Sequence, residues 1–379
     1  MKQLKIFFLV MLMSGFVCFN LSLSAQDVKS KQHTVRAAID FGSGAIKIQM
    51  GAVDTEENII IGKPLIAKYV SLGLTEDVAT HGGLISEKMA QKALCILKEF
   101  KEEALMAAAR EGYLSMQFTG VATAVFRKAQ NGIDLLQMLE EQVGIKFRIL
   151  SQDEEGKLGF LTVKALYSGV SELSLLAWDS GNGSFQMTIK EGNNYKVYEG
   201  PLGHGTVRVL LSRDIRNGPI LKANESSNPV LRDEAIELTQ KIKTLLPSIP
   251  DWLHKKLNSD KTVIATFGDG ESIFALTAQA LANLTGIKES IQQTTMSLSD
   301  VQRVINTYIE QKDDVFNAAG LHCKTFTSAL HLSAVMQYFG IKQIHYKRSI
   351  GNTPGMLIAP HLWEESMSSS FSLTQEAPL

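Results

Sequence analysis

Hydrophobic positions along this chain fall into two alternating rhythms. VRAAID and AIKIQMGAVD, between Val35 and Asp54, are apolar runs of strand length, and the FGSG that joins them carries the glycines of a tight hairpin. A third apolar segment, IIIGKPLIAKYVSLG, follows. From Glu87 to Glu111 the apolar positions move to helical spacing with charges between them, and Gly112 marks the stop. SMQFTGVATAVF returns to a strand and enters a helix around Arg127 to Gly132. The order strand, strand, strand, helix, strand, helix predicts an α/β fold.

The series begins again at LSLLAWDSGNGSFQMTIKEGNNYKVYEG, with an apolar strand ending in Asp, a glycine turn and a second strand. Asp40-x-Gly42-Ser43 and Asp179-x-Gly181-x-Gly183-Ser184 are thus one device carried twice. Duplication of this kind predicts two similar domains facing a common cleft. Beyond Arg208, RDIRNGPILKANESSNP reads as a loop, and helices are expected at Val230 to Leu246 and Asp251 to Leu257. KTVIATFGDGESIFALTAQALANLTG reads as strand, glycine loop and helix, and Ser299 is the expected N-cap of the helix in LSDVQRVINTYI. Ala329 to Phe339 is expected as a helix, IKQIHYK as a strand, and the Ser-rich residues from Trp363 as a mobile tail. The expected division is 1–25, 33–165, 166–362 and 363–379.

At 379 residues the chain exceeds what one core usually supports, and 45% hydrophobic with 20% charged residues excludes a disordered protein. A formal net charge of −1 leaves no basic footprint for nucleic acid, so any polyanion must be met by a local site. The first residues read as a secretory signal: Lys2 and Lys5 precede the apolar run Ile6 to Phe19, and Ser22, Ser24 and Ala25 predict cleavage after Ala25. A periplasmic or secreted protein, meeting the membrane only through this segment, is the expectation. Cleavage would leave two cysteines, Cys95 and Cys323, expected as buried free thiols.

The paired turns carry chemistry. A hairpin tip without bulky side chains exposes backbone N–H groups to phosphate oxygens, with glycine permitting positive φ and close approach. Gly42 with Ser43, and Gly181, Asn182, Gly183 with Ser184, are the expected phosphate cradles. Asp40 and Asp179, each at a strand end, could hold Mg2+ or Mn2+, usually through water. Lys47 is expected at the cleft or its rim, where it attracts the anion.

In this order of segments the chain resembles the exopolyphosphatase/guanosine pentaphosphate phosphatase (Ppx/GppA) family of the actin-like ATPase superfamily. AAIDFGSGAIKI and WDSGNGSFQM resemble its two phosphate motifs, VATAVFRKAQNG its segment with a phosphate-binding arginine, and ILSQDEEGKLGFL its segment with the catalytic glutamate. GPLGHGTVRV, TFGDGESIFALTAQ and IGNTPGMLI resemble later segments, so the likeness runs from Val35 to about Pro360. The resemblance implies two actin-like (ribonuclease H-like) α/β domains around a central cleft, without a C-terminal helical HD-type domain. It assigns Arg127 to phosphate and Glu155, with Glu154 beside it, to the attacking water. The implied substrate is polyphosphate or a nucleotide, and a second copy of the chain is a candidate partner.

Two departures open other readings. Gln186 stands where the family has a glutamate and is similar to the ecto-apyrases, where a glutamine orients water; Glu271 replaces a glycine and weakens any contact to a nucleotide base. An apyrase-like nucleotidase and a phosphate- or nucleotide-binding relative without turnover are the alternatives. Asn182 in the second turn tolerates left-handed backbone. His204, between two glycines with no second ligand at metal spacing, reads as a solvent-facing loop residue, and Trp178 as core.

Overall fold

The computed structural model describes residues 33–364 and 368–373. The expected signal segment lies outside the described residues. From Thr34 onward the chain forms one unit, in which two six-stranded sheets are built on the same plan.

The first sheet has β1 (His33–Phe41), β2 (Ala45–Asp54), β3 (Ile59–Ser71), β4 (Ser115–Ala122), β5 (Phe147–Ile149) and β12 (Ser369–Ser372), in the order β12-β4-β1-β2-β3 with β5 also on β4. The second has β6 (Leu175–Ser180), β7 (Phe185–Glu191), β8 (Asn194–Gly200), β9 (Val263–Gly268), β10 (Gln293–Ser297) and β11 (Gln343–Arg348), in the order β10-β11-β9-β6-β7-β8. In each sheet a three-strand meander is followed by a strand parallel to the first: β4 runs parallel to β1, and β9 to β6. The duplicated Asp turns therefore occupy equivalent hairpins of equivalent sheets.

The helices are α1 (Leu74–Thr80), α2 (Glu87–Arg110), α3 (Ala124–Lys128), α4 (Gly132–Val143), α5 (Gln152–Leu166), α6 (His204–Val209), α7 (Arg232–Leu245), α8 (Asp251–Leu257), α9 (Ile273–Thr285), α10 (Leu298–Tyr308), α11 (Asp313–Ala318), α12 (Thr325–Phe339) and α13 (Thr353–Ile358). Apolar faces of α2 and α4 close the first core with Phe41, Phe118 and Phe126; α9 and α12 close the second around Trp178, Phe185 and Phe274. Trp178 is fully buried, as its place in an apolar strand predicts.

Several local expectations are corrected. α10 is capped by Ser297, whose hydroxyl accepts from Asp300 N at 3.1 Å while Asp300 returns the bond, a reciprocal box that Ser299, two residues further in, does not make. α12 starts at Thr325, four residues before the expected start. Its surface is buried nearly all round, so it has no polar stripe to mark its boundaries. Cys95 is an exposed free thiol, because it sits on the outer side of α2. The segment expected as a mobile tail begins with a buried Trp363 under the Arg36 guanidinium, and β12 pairs with β4 while Phe371 packs edge-on against Phe118. The last part of the chain, α13 and β12, thus returns to the first sheet, completing that lobe from two pieces of sequence.

Candidate functional site

The two glycine turns meet tip to tip. A Cβ at Gly44 would lie 2.9 Å from Asn182 Cβ, and one at Gly183 would lie 3.0 Å from Ala124 Cβ and 3.1 Å from Ser43 Oγ. Close approach is what demands glycine here. None of Gly42, Gly44, Asn182, Gly181 and Gly183 has positive φ, so the left-handed backbone expected of these turns is not used. Asn182 instead donates through Nδ2 to Glu76 Oε2 at 3.2 Å, and its carbonyl accepts from Gly205 N at 2.8 Å.

The GPLGHG segment clamps the second turn from behind. A Cβ on Gly203 would fall 2.4 Å from the Asn182 carbonyl carbon, and His204 N donates to Gly181 O at 3.0 Å. His204 is buried, with Nε2 3.1 Å from Thr327 Oγ1 and 3.3 Å from Ser328 Oγ, which corrects the solvent-facing reading. Burial, reinforced by the Arg208 and Lys324 charges, pushes its pKa well down and keeps it neutral. It is a strut between the turn and α12.

The strand ends bring the carboxylates together. Asp40 Oδ2 is 3.5 Å from Lys47 Nζ, which is also 3.5 Å from Asp269 Oδ2. Burial opposes the lysine charge, but Asp40, Asp269 and Asp179 outweigh it and hold the ammonium well above the ordinary lysine range. Asn352 joins the two repeats: its Nδ2 donates to Asp179 Oδ2 at 2.6 Å and its backbone N to Asp40 Oδ2 at 3.3 Å. Burial raises the Asp179 pKa to about 6 even though Asn352 and Lys47 oppose the shift.

Glu155 enters from the first turns of α5. Ser151 and Glu154 form a capping box at that helix start, and Glu154 also pairs with Arg148. Glu154 is committed to the cap while Glu155, the next residue, turns inward and is 7% exposed. Two glycines one helical turn apart let α5 come this close: a Cβ on Gly156 would strike Val197 at 2.5 Å, and one on Gly159 would crowd Asp179 Cβ at 3.3 Å. Desolvation pushes the Glu155 pKa to about 7; Arg127, 3.0 Å away, pulls it down and Asp179 pushes it up.

These groups surround a cavity of about 90 Å³. It takes in Asp40, Gly42, Ser43, Lys47, Glu155, Asp179, Gly181, Asn182, Gly183 and Ser184. Arg127 and Gln186 do not line it. Arg127 stands behind Glu155 and donates to Leu150 O at 2.6 Å, with its Nη2 buried and unpartnered; Gln186 supports Ser184 Oγ at 3.4 Å. Sequence reasoning missed Asn352, Asp269 and Tyr69. Asn352 precedes a Pro-containing helix start, a signal for a loop that could have drawn attention to it.

The chain matches the Ppx/GppA phosphatase family over residues 62–356. Exopolyphosphatase 1 of Mycobacterium tuberculosis (strain ATCC 25618 / H37Rv) is 25% identical over 230 residues, 60% of this chain, and the chain spans 58% of that relative's length. Exopolyphosphatase 1 of Mycobacterium bovis is similar to the same extent. Among solved structures, the Aquifex aeolicus Ppx/GppA family member superposes with a TM-score of 0.63 at 16% identity, over 88% of this chain and 99% of that one. An exopolyphosphatase from Cytophaga hutchinsonii gives 0.62 at 16% identity, over 86% and 96% of the two chains. These likenesses show the fold, two actin-like lobes, and the family match spans most of the sequence from β3 to α13: the chain belongs to the Ppx/GppA phosphatase family.

Proposed function

We propose that this protein hydrolyses phosphoanhydride bonds, releasing terminal phosphate from polyphosphate or a related polyanion outside the cytoplasm. The observation that carries this reading is Glu155: a buried carboxylate with a pKa of about 7 lining a small polar cavity between two glycine turns. A base titrating near neutrality matches its task, and positioned acid/base groups contribute about 10²- to 10⁴-fold. Backbone N–H groups and the hydroxyls of Ser43 and Ser184 at the turns hold the terminal phosphate. Water attacks phosphorus in line, Glu155 takes the water proton, and the anhydride P–O bond breaks with its electron pair leaving on the shortened chain. Arg127, which stands behind Glu155 and outside the cavity lining, orients the Glu155 carboxylate.

The residues fit a hydrated magnesium ion. The cavity collects five carboxylates, Asp40, Asp179, Asp269, Glu155 and Glu271, against Lys47 and Lys324, so added positive charge would favour the entry of a polyanion. No group of three or more His, Cys, Asp or Glu close enough to chelate occurs among the described residues. Asp40 and Asp179 would hold such an ion, and so small a donor set suits magnesium, which dehydrates reluctantly. When bound it would neutralise charge on the phosphate oxygens. Export rests on the first 25 residues.

The deciding assay incubates the full-length protein and magnesium with polyphosphate and follows released phosphate against a Glu155→Gln control. Release equal in both would sink the hydrolase reading.

A further inference from the structure

In the antiparallel pair β2–β3, Lys47 lies opposite Tyr69 and Ala45 opposite Ser71. Alternate residues share a face, so Lys47, Tyr69 and Ser71 look the same way, into the cavity. That face meets the loop between β9 and α9 one residue at a time. Lys47 reaches Asp269; a Cβ on Gly270 would lie 2.8 Å from the Tyr69 hydroxyl and 3.0 Å from Arg348 Nη2; Ser71 Oγ donates to Glu271 Oε1 at 2.5 Å. The other Glu271 oxygen accepts from Lys324 Nζ at 3.0 Å. The loop is braced internally as well, with Glu271 N donating to Asp269 Oδ1 at 3.0 Å and Ser272 capping α9.

The outermost of these contacts joins three segments that are remote in sequence. Ser71 ends the last strand of the first meander, Glu271 lies in the second lobe's loop just before the cap of α9, and Lys324 precedes α12. Together they form a bridged stretch of the wall of the cavity that the phosphate turns also line. The cavity behind it measures about 90 Å³, against roughly 300 Å³ or more for clefts that enclose drug-sized ligands. A terminal phosphate suits that space, and an unbranched phosphate chain, one phosphate wide, needs only a slot to leave it. A ribose and base need more room than that volume gives. The Glu271 carboxylate is held in the charged form, which keeps the bridge to Lys324 made: burial opposes this, but Lys324 and Ser71 prevail and lower its pKa.

Building on the activity proposed above, we infer that Glu271 is the residue that selects substrate class, its bridge from Ser71 to Lys324 closing the cleft to nucleosides and leaving it open to linear polyphosphate. The carboxylate is a gate and takes no part in the bond-breaking step.

Equilibrium binding of a non-hydrolysable ATP analogue, adenylyl imidodiphosphate, tests this by calorimetry in magnesium on the full-length protein. Wild type should bind weakly, and Glu271→Gly should bind at least 10-fold more tightly. Ser71→Ala detaches the carboxylate from the first lobe without altering the loop, so it decides the matter should the glycine variant fail to fold; it should gain affinity to a smaller degree. Equal affinity in wild type and variants, or tight binding by wild type, would overturn the inference. Because the readout is binding, absence of polyphosphate hydrolysis would defeat the proposed activity while leaving this comparison intact.

Discussion

Arg127 Nη1 stands 3.0 Å from Glu155 Oε2, and the carboxylate it faces is almost wholly out of water. The pair sets a titration. Burial raises the Glu155 pKa to about 7 and Arg127 restrains the rise, so kcat/KM should climb with pH along a limb centred near 7 as the base ionises. Arg127→Met removes the cation and keeps much of the bulk. The limb should then move to higher pH, since nothing restrains the desolvation penalty. Glu155→Gln should lower turnover by about 10²-fold or more on the plateau above the limb and flatten the limb itself, with substrate binding nearly intact. A limb unmoved by Arg127→Met would leave the ion pair without a role in tuning the base.

The same groups make stability pH-dependent, with an unusual sign. Glu155 and Asp179 titrate at about 7 and about 6 in the folded protein, above the ordinary 4.5 and 3.8. The folded state therefore holds protons that the unfolded chain releases. The stability this contributes is fully present below about pH 4 and is lost as pH rises through 6 to 7. Thermal melts from pH 5 to pH 8 without magnesium should show Tm falling more steeply in wild type than in Glu155→Gln. Parallel slopes would mean that Glu155 is not protonated in the native protein near neutrality.

Glu154 offers the contrast to its neighbour. Its backbone N donates to Ser151 Oγ at 3.2 Å, its Oε2 accepts from Ser151 N at 2.9 Å, and it pairs with Arg148. Glu154→Gln should cost no more than about 1 kcal/mol in denaturant unfolding, the order of a helix cap, and change turnover by less than a few-fold. If it abolished turnover while Glu155→Gln was nearly normal, the two glutamates would have exchanged roles.

That contrast also marks what could be read from the sequence. The hairpins, the long helix α2 and the duplication were legible because strand ends, helical spacing and the repeated Asp-Gly-Ser turn are local signals. A capping box is local too, and it shows which of two adjacent glutamates is free to face the cleft. The reason for the turn glycines was not legible: φ preference is a property of one residue, whereas the 2.9 Å meeting of Gly44 with Asn182 joins opposite lobes. Asn352 and Asp269 escaped for the same reason, since their partners Asp40, Asp179 and Lys47 are remote in sequence. His204 was misread because flanking glycines ordinarily mean an exposed loop, and here they permit close packing on the second turn.

Chelation is the next test. With five cavity carboxylates against two lysines, excess chelator should abolish phosphate release, and magnesium or manganese should restore it. The fold should persist, because Lys47 and Asn352 already partner the strand-end carboxylates and no structural metal is called for. Full activity in chelator would exclude a metal role for Asp40 and Asp179.

The largest stability effect should come from outside the cavity. Arg208 on α6 and Glu76 on α1 pair at 2.8 Å with side chains only 2% and 4% exposed. Arg208 is held further by the carbonyls of Lys222 at 3.0 Å and Glu225 at 2.6 Å, and Glu76 receives Asn182 from the second turn at 3.2 Å. The pair thus links the two lobes and positions a phosphate turn. Whether the intact ion pair stabilises the fold more than an apolar pair is a separate matter, since desolvation can equal the Coulombic gain; removing one partner is not neutral, because it strands a buried charge. Arg208→Leu should therefore cost about 3–5 kcal/mol in chemical denaturation. Glu76→Gln leaves one oxygen where two now accept, one from Arg208 and one from Asn182, and removes the charge, so it should also destabilise the protein and weaken substrate capture through a displaced turn. The double variant Arg208→Leu with Glu76→Leu strands no charge and should recover a large part of the lost stability while substrate affinity stays low. If the double variant were as unstable as the sum of the single variants Arg208→Leu and Glu76→Leu, the two residues would not be acting on each other, and the turn would owe its position to the Gly203 clamp alone.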